Sequence, residues 1–262
     1  MDKLYKYPRT RHLSGSKLQV GDEDLSTIPI SSIADKYVVV EEKIDGANVG
    51  ISFVEGQLRL QSRGHYLTGG YRERHFSMLK NWANVFSPEL YCVLEDRYVM
   101  YGEWLYAKHT VFYDKLPHYF FEFDIFDKET GDFFSTEKRK ELLHPLTFVH
   151  SVPILKEGRI ENADVLKNCL GKSLYKSDDW RKNLRSVCEK HHLDFDLAMS
   201  QTDDSELAEG LYLKMEENGR VVDRCKFVRS EFTAKILSSD SHWLDRPIIP
   251  NMLEKGEIDW TF

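Results

Sequence analysis

Tyr37-Val38-Val39-Val40-Glu41-Glu42-Lys43-Ile44-Asp45-Gly46-Ala47-Asn48 is the stretch from which the fold can be read. The β-branched run at 38–40 has the character of a buried strand, and Asp45-Gly46 that of a turn into a second strand at 49–54. Lys43 then falls at a strand end beside a sharp turn, where a side chain can point into a cleft. A lysine in such a place becomes a nucleophile if burial or nearby positive charge keeps its amine neutral. Taken alone, Lys-x-Asp-Gly is equally the pattern of a plain hairpin with a solvated lysine, so its meaning depends on what surrounds it.

Working outward, residues 57–63 alternate Leu58, Leu60 and Ser62 with Arg59, Gln61 and Arg63, and join the 49–54 strand through Glu55-Gly56 as a hairpin. Further strands are expected at 98–106, at the aromatic run 119–126, and at 210–215 and 220–228. The last two are joined by Asn218-Gly219, the signature of a type I′ turn. Helical spacing appears at 74–86, 135–143, 162–170 and 178–191, with a shorter helix at 231–237. Pro88 and Pro145 read as punctuation after helices. Residues 1–36, broken by Pro8, Gly15, Gly21 and Pro29, read as an irregular lead-in with one short helix at 31–36. The expected organisation is a lead-in (1–36), a core domain (37–237) and an irregular tail (238–262). Hairpins with intervening helices predict an α+β fold, antiparallel sheets flanked by helices.

Composition narrows the class. A chain of 262 residues with 41% hydrophobic content can bury a substantial core as one large domain or two small ones. It contains no apolar run long enough to span a bilayer, and its start, Met1-Asp2-Lys3-Leu4, lacks the apolar stretch of a signal peptide. Cys92, Cys169, Cys188 and Cys225 are scattered, with no Cys-x-x-Cys pair, which reads as reduced thiols in a cytoplasmic protein. A net charge of −7 argues against a general nucleic-acid binder, so any such contact must be local. Two basic stretches qualify. One holds Arg63, Arg72, Arg74 and Lys80; the other holds Lys167, Lys172, Lys176, Arg181, Lys182, Arg185 and Lys190. Each fits a solvated helix face as well as it fits phosphate binding.

Four more stretches carry polar groups where a strand core does not require them. They are Gly102-Glu103-Trp104, Phe121-Glu122-Phe123-Asp124, Glu209-Gly210-Leu211-Tyr212-Leu213-Lys214 and Arg224-Cys225-Lys226. The two cations of the last, two residues apart, share one strand face. Together these stretches supply carboxylates, cations and aromatic rings around one lysine. That inventory suits a nucleoside triphosphate: rings for the base, cations for the phosphates, and carboxylates for magnesium, which prefers oxygen ligands shared with substrate phosphates.

The ordered set Lys43-x-Asp45-Gly46, Ser62-Arg63-Gly64, Gly102-Glu103-Trp104, Phe123-Asp124, Glu209-Gly210-x-x-x-Lys214 and Arg224-x-Lys226 resembles the motifs of covalent nucleotidyltransferases. It is most similar to those of ATP-dependent RNA ligases of the RNA ligase 2 type, across about residues 37–232. The resemblance implies an ATP-grasp-like nucleotidyltransferase core. It implies Lys43 as the adenylylated nucleophile, and Glu42 as acceptor for the adenine amino group. Asn48 would hold ribose, phosphate or the metal's water shell, and Arg63 would lie near the sugar and the RNA end. Glu103 and Glu209 would contact the metal, Mg2+ or Mn2+, Glu103 touching the ribose as well. Phe123 would stack on adenine with Asp124 in support. Lys214, Arg224 and Lys226 would meet the phosphates.

Two departures stand out. Arg224 takes the place of a usual lysine, which keeps the charge and alters the geometry. Only residues 227–262 follow Lys226, too few for an independent domain. The trailing oligonucleotide-binding domain of DNA ligases and capping enzymes, and most of the helical domain of longer RNA ligases, are therefore expected to be missing. The implied reaction is ATP-dependent joining of an RNA 5′-phosphate to a 3′-hydroxyl by a monomer, with a separate end-healing kinase or phosphatase alongside. The alternatives are a DNA ligase or capping guanylyltransferase core, or a non-catalytic module that binds a nucleotide or RNA end.

Overall fold

The computed structural model describes residues 3–18, 22, 24–238, 246–256 and 258. The strands are β1 (Arg11–His12), β2 (Val38–Lys43), β3 (Ala47–Val54), β4 (Gln57–Ser62), β5 (Tyr98–Trp104), β6 (Phe120–Asp127), β7 (His150–Ser151), β8 (Ile154–Gly158), β9 (Gly210–Glu217) and β10 (Arg220–Val228). The helices are α1 (Ser77–Val85), α2 (Ser87–Leu94), α3 (Thr136–Leu143), α4 (Ala163–Cys169), α5 (Trp180–Lys190), α6 (Phe195–Ser200) and α7 (Ser230–Ser238).

The strands form two five-stranded sheets, in the orders β1-β10-β9-β2-β8 and β4-β3-β5-β6-β7. Neighbours are antiparallel except β1 on β10 and β7 on β6. The expected α+β fold with antiparallel sheets flanked by helices is what the chain adopts. Strands β2 and β3 are consecutive in the sequence but lie in different sheets, so the turn at Ile44-Asp45-Gly46 carries the chain from one sheet to the other.

Period-two alternation sorts the side chains of each sheet. On β2 and β9, Val38, Val40, Leu211, Leu213 and Met215 turn to one side and are at most 1% exposed. They pack with Leu13, Ile28 and Ile33 of the lead-in and with Leu166 of α4. On the second sheet, Val49, Ile51, Phe53 and Met100 face α1 and α2, where Leu79, Trp82, Phe86, Leu90 and Leu94 are fully buried. Burying one such side chain stabilises the fold by roughly 1.5–3 kcal/mol. The faces left over bear Lys43, Glu41, Tyr212, Lys214 and Lys226 on one sheet, and Asn48, Tyr101 and Glu103 on the other.

Several elements differ from the sequence reading. Pro88 opens α2 rather than closing a helix, because proline is tolerated in a first helical turn, where its missing N–H has no partner to lose. The helix expected from residue 74 is a 3-10 segment, Tyr71–Phe76, that gives way to α1 at Ser77. The helix expected at 31–36 is a 3-10 turn, Ile30–Ser32. Ser135 and Asn162 fall at N-caps, accepting from the Lys138 amide and from the Asp164 and Val165 amides. Asn218 and Gly219 have φ of 51° and 76°, as the type I′ turn requires. The described parts of the lead-in and of the tail are mostly irregular yet docked. In the tail, the Asn251 side chain accepts from the Tyr113 amide (2.9 Å) and donates to the Leu105 carbonyl (2.7 Å), clamping the loop between β5 and β6. Gly21 and the remainder of the tail lie outside the described residues.

Candidate active site

Lys43 ends β2 and pairs with Gly210 at the start of β9. Gly210 is required by packing: a Cβ there would sit 1.9 Å from the Phe227 carbonyl oxygen on β10. Glu209 directly precedes this glycine, and Lys43 Nζ donates to Glu209 Oε1 at 2.6 Å. The Lys43 side chain is 21% exposed and that of Glu209 2%, so solvent reaches the lysine and hardly reaches its partner.

The turn after Lys43 is held from outside. Asp45 Oδ2 accepts from the Thr110 and Val111 amides, both at 2.7 Å, and the Asp45 amide donates to the Tyr113 hydroxyl at 2.8 Å. Burial and the charge of Glu209 push the Asp45 carboxyl up to about 6. Glu103, opposite Asn48 in the β3–β5 ladder, is pushed up to about 8 by burial and by Glu209 and Asp45, with Lys43 opposing.

These acids decide the state of Lys43. Burial pulls its amine down, but Glu209, Glu103 and Asp45 outweigh burial and hold it above the ordinary lysine value. The sequence reading expected burial to keep this amine neutral; its acidic neighbours, Glu209 first among them, instead favour the ammonium form, from which a proton must leave before the nitrogen can attack. Glu209 is in hydrogen-bond contact to accept it.

Lys226 on β10 is set between Tyr212 on β9 and His12 on β1. Burial and Lys43 lower its amine, while Asp22 and Glu209 pull the other way. Its Nζ lies 2.5 Å from Asp22 Oδ2. Asp22 and His12 went unnoticed in the sequence because they belong to the irregular lead-in and carry no local pattern.

The remaining candidates divide. Glu42 turns to the other face of β2, is 2% exposed, and accepts from Ser173 Oγ (2.5 Å) and the Leu174 amide (3.3 Å). Burial raises its carboxyl, with those two bonds opposing. Phe123 packs edge-on to Tyr7 of the lead-in at 5.1 Å between ring centroids. Phe121, not Phe123, pairs with Glu103 across β5–β6, and its ring meets Tyr175 at 5.0 Å. A register shift between Tyr101 and Gly102 displaces Phe123 from the regular ladder, which period-two reasoning does not anticipate. Arg63 is exposed on the loop after β4.

Lys214 is not among the groups around Lys43. It is 1% exposed and bound to Glu41 (3.0 Å), Asp124 (3.1 Å) and the Phe123 carbonyl. Arg139 joins the same buried cluster through Glu41 at 3.0 Å and Glu122 at 3.6 Å, and Arg224 through Asp124 at 3.7 Å. Tyr7 OH donates to Asp124 at 2.5 Å. Three cations thus balance three carboxylates between the sheets.

In the second basic stretch, Lys176 is buried, with its amine on the Ser205 carbonyl at 2.6 Å. Arg181 lies over Trp180 at 4.4 Å and Arg185 over Phe195 at 3.8 Å, both on the exposed side of α5 with Lys182 and Lys190. In the first stretch, Arg74 reaches the Arg246 carbonyl at 2.9 Å and Lys80 pairs with Glu73 at 2.5 Å. The Arg72 side chain lies outside the described residues.

Among the described residues no three His, Cys, Asp or Glu side chains converge as a self-contained metal site. Glu103 and Glu209 are hard oxygen donors within each other's electrostatic reach. That donor set fits a magnesium-class cation whose other ligands are substrate phosphates and water. No described helix is long and apolar enough to cross a membrane.

The RNA ligase family model matches residues 36–228. No curated protein matches. Among solved structures, the Naegleria gruberi RNA ligase with PPi is similar at 19% identity and TM-score 0.51, covering 79% of this chain and 53% of that one. A mutant of the same ligase with AMP and Mn gives 14% identity and TM-score 0.53, covering 88% and 58%. An archaeal ATP-dependent RNA ligase gives 19% identity and TM-score 0.50, covering 87% and 49%. The chain thus spans about half the length of the solved ligases it matches. At these identities the likeness concerns the fold.

Proposed function

The chain belongs to the RNA ligase family, and from that premise we propose that it joins RNA 5′-phosphate and 3′-hydroxyl ends with ATP as co-substrate. The observation that carries the proposal is the 2.6 Å contact between Lys43 and Glu209, with Glu103 and Lys226 in electrostatic reach.

In the first step Glu209 takes one proton of Lys43, the nitrogen attacks the α-phosphorus of ATP, and a second proton passes from the nitrogen to solvent as the phosphoramidate forms. The bond to the β-phosphate oxygen breaks, and pyrophosphate leaves. Lys226, within electrostatic reach of Lys43 and Glu209, offsets charge that develops on the α-phosphoryl oxygens. In the second step an oxygen of the RNA 5′-phosphate attacks the lysyl-bound phosphorus, and the Lys43 nitrogen departs, recovering a proton. In the third, the 3′-hydroxyl attacks the 5′-phosphorus, the phosphodiester forms, and AMP leaves. A divalent cation held by Glu103 and Glu209 would supply electrostatic stabilisation of the phosphates. RNA with other termini would first need its ends healed by a kinase or phosphatase.

The test is incubation with α-labelled ATP and Mg2+ or Mn2+. Label is expected to remain on the denatured protein and to vanish in Lys43→Ala. GTP and NAD are expected to label poorly, and RNA 5′-phosphates to discharge the label better than DNA ends. A wild-type protein that stays unlabelled with every nucleotide overturns the proposal; strong labelling by GTP or discharge by DNA alone points to a capping or DNA-joining enzyme.

A further inference from the structure

The strand that carries Lys226 is completed by residues that precede the family-matched segment at 36–228. β1 lies parallel to β10 with His12 opposite Lys226. The attachment is tight: the Leu13 amide donates to the Lys226 carbonyl at 2.8 Å, and the Val228 amide donates to Ser16 Oγ at 2.9 Å. His12 is fully buried, and its two ring nitrogens are both engaged, Nδ1 with Ser16 Oγ at 2.7 Å and Nε2 with Asp22 Oδ2 at 3.3 Å. The same Oδ2 lies 2.5 Å from Lys226 Nζ, while Asp22 Oδ1 accepts from Arg9 at 3.2 Å. A chain of hydrogen bonds therefore runs from Ser16 through His12 and Asp22 to Lys226.

We propose that Asp22, oriented by His12, is the positioning residue that aims Lys226 at the reacting phosphate. The physical need is clear. Lys226 lies within electrostatic reach of Lys43, a like charge, on a flexible four-carbon stem. Left alone it would swing away from its neighbour. A carboxylate fixed from behind by two donors holds the ammonium in one orientation. Fixing a buried histidine and a carboxylate behind a single lysine orders several side chains and is unnecessary for merely docking the lead-in, which Leu13, Ile28 and Ile33 already anchor through the apolar face of the same sheet.

The inference rests on the reading that Lys226 serves the phosphate of ATP in self-adenylylation. Its test is single-turnover labelling of the full chain with α-labelled ATP, comparing Asp22→Ala, Asp22→Asn, Asp22→Glu, Lys226→Ala and the double variant Asp22→Ala/Lys226→Ala, with thermal melts alongside. Asp22→Ala and Asp22→Asn are expected to slow labelling at saturating ATP by about 10–100-fold, the worth of a hydrogen bond to a charged group, with KM for ATP moving less than about threefold. Asp22→Glu is expected to recover part of the rate. The double variant is expected to label no more slowly than Lys226→Ala alone, since Asp22 acts only through Lys226. Losses that multiply in the double variant overturn the inference and make Asp22 a folding residue. Faster labelling by Asp22→Asn also overturns it and makes the carboxylate a competitor of the triphosphate. An unlabelled wild-type protein removes the ligase reading and this inference together, whereas a labelled wild type with an indifferent Asp22→Asn removes the inference alone.

Discussion

Replacing Lys214 by methionine separates the two roles this lysine can be given. Sequence resemblance assigns it to the phosphates; its contacts assign it to the buried cluster between the sheets. Methionine keeps most of the volume and removes the charge. Glu41 and Asp124, 1% and 0% exposed, then lose a partner 3.0 and 3.1 Å away. Arg139 and Arg224 remain, so three carboxylates face two cations and one negative charge is left uncompensated in the interior. Breaking a buried pair in this way costs about 3–5 kcal/mol. For a chain of this size that corresponds to a melting temperature lower by roughly 6–20 °C. The deficit should also depend on pH. In the variant the orphaned carboxylate has a folded-state pKa above its unfolded value, so stability is lost as pH rises through that range and the gap from wild type narrows on acidification. The assay is a thermal melt at pH 5 and pH 8, paired with KM for ATP in the labelling reaction at a temperature where both proteins are folded. A melting temperature within 2 °C of wild type together with an ATP KM raised about tenfold would refute the reasoning and return Lys214 to the phosphates.

Three further outcomes are expected. Gly210→Ala should force β9 and β10 apart, because the new Cβ would lie 1.9 Å from the Phe227 carbonyl oxygen; a loss of roughly 1–3 kcal/mol or more in urea unfolding, with slower Lys43 labelling, is expected, whereas Gly64→Ala, with no atom within 4 Å of its Cβ, should melt like wild type. His118 is 5% exposed, takes a hydrogen bond from the Phe120 amide on Nδ1 at 3.0 Å, and is pushed down to about 4 by burial and by His150. Its folded pKa is below the unfolded one, so it contributes about 3 kcal/mol that is present above pH ~6.5 and lost as pH falls toward 4. His118→Asn should flatten that part of the melting temperature's pH dependence, and an unchanged slope would show that His118 protonates without penalty. Charge reversal at Arg181 and Arg185, on the exposed side of α5, is expected to weaken RNA end joining and spare self-adenylylation; equal loss of both steps would mark the region as structural.

The sequence by itself determined the elements with strong local character. The hairpin at Glu55-Gly56, the type I′ turn at Asn218-Gly219 and the alternation on β2, β9 and β10 are properties of neighbours in the chain, set by steric preference and by one apolar and one polar sheet face. For the same reason it placed Arg224 and Lys226 on one face and set Lys43 at a strand end. Only the tertiary structure decided which charged groups meet. That Lys214 joins Glu41 and Asp124 while Lys226 joins Asp22 depends on strand register and on a lead-in with no periodicity of its own. That Phe121 rather than Glu122 lies across from Glu103, with Phe123 left out of the pairing, depends on a ladder irregularity in β6. These contacts join residues distant in sequence, such as His12 to Lys226, and their energies come from desolvation and Coulomb interaction inside the assembled interior. Even the proton affinity of Lys43 depends on this assembly, because Glu209 and Glu103, which with the neighbouring Asp45 raise it, come from elsewhere in the chain and reach it only when the two sheets meet.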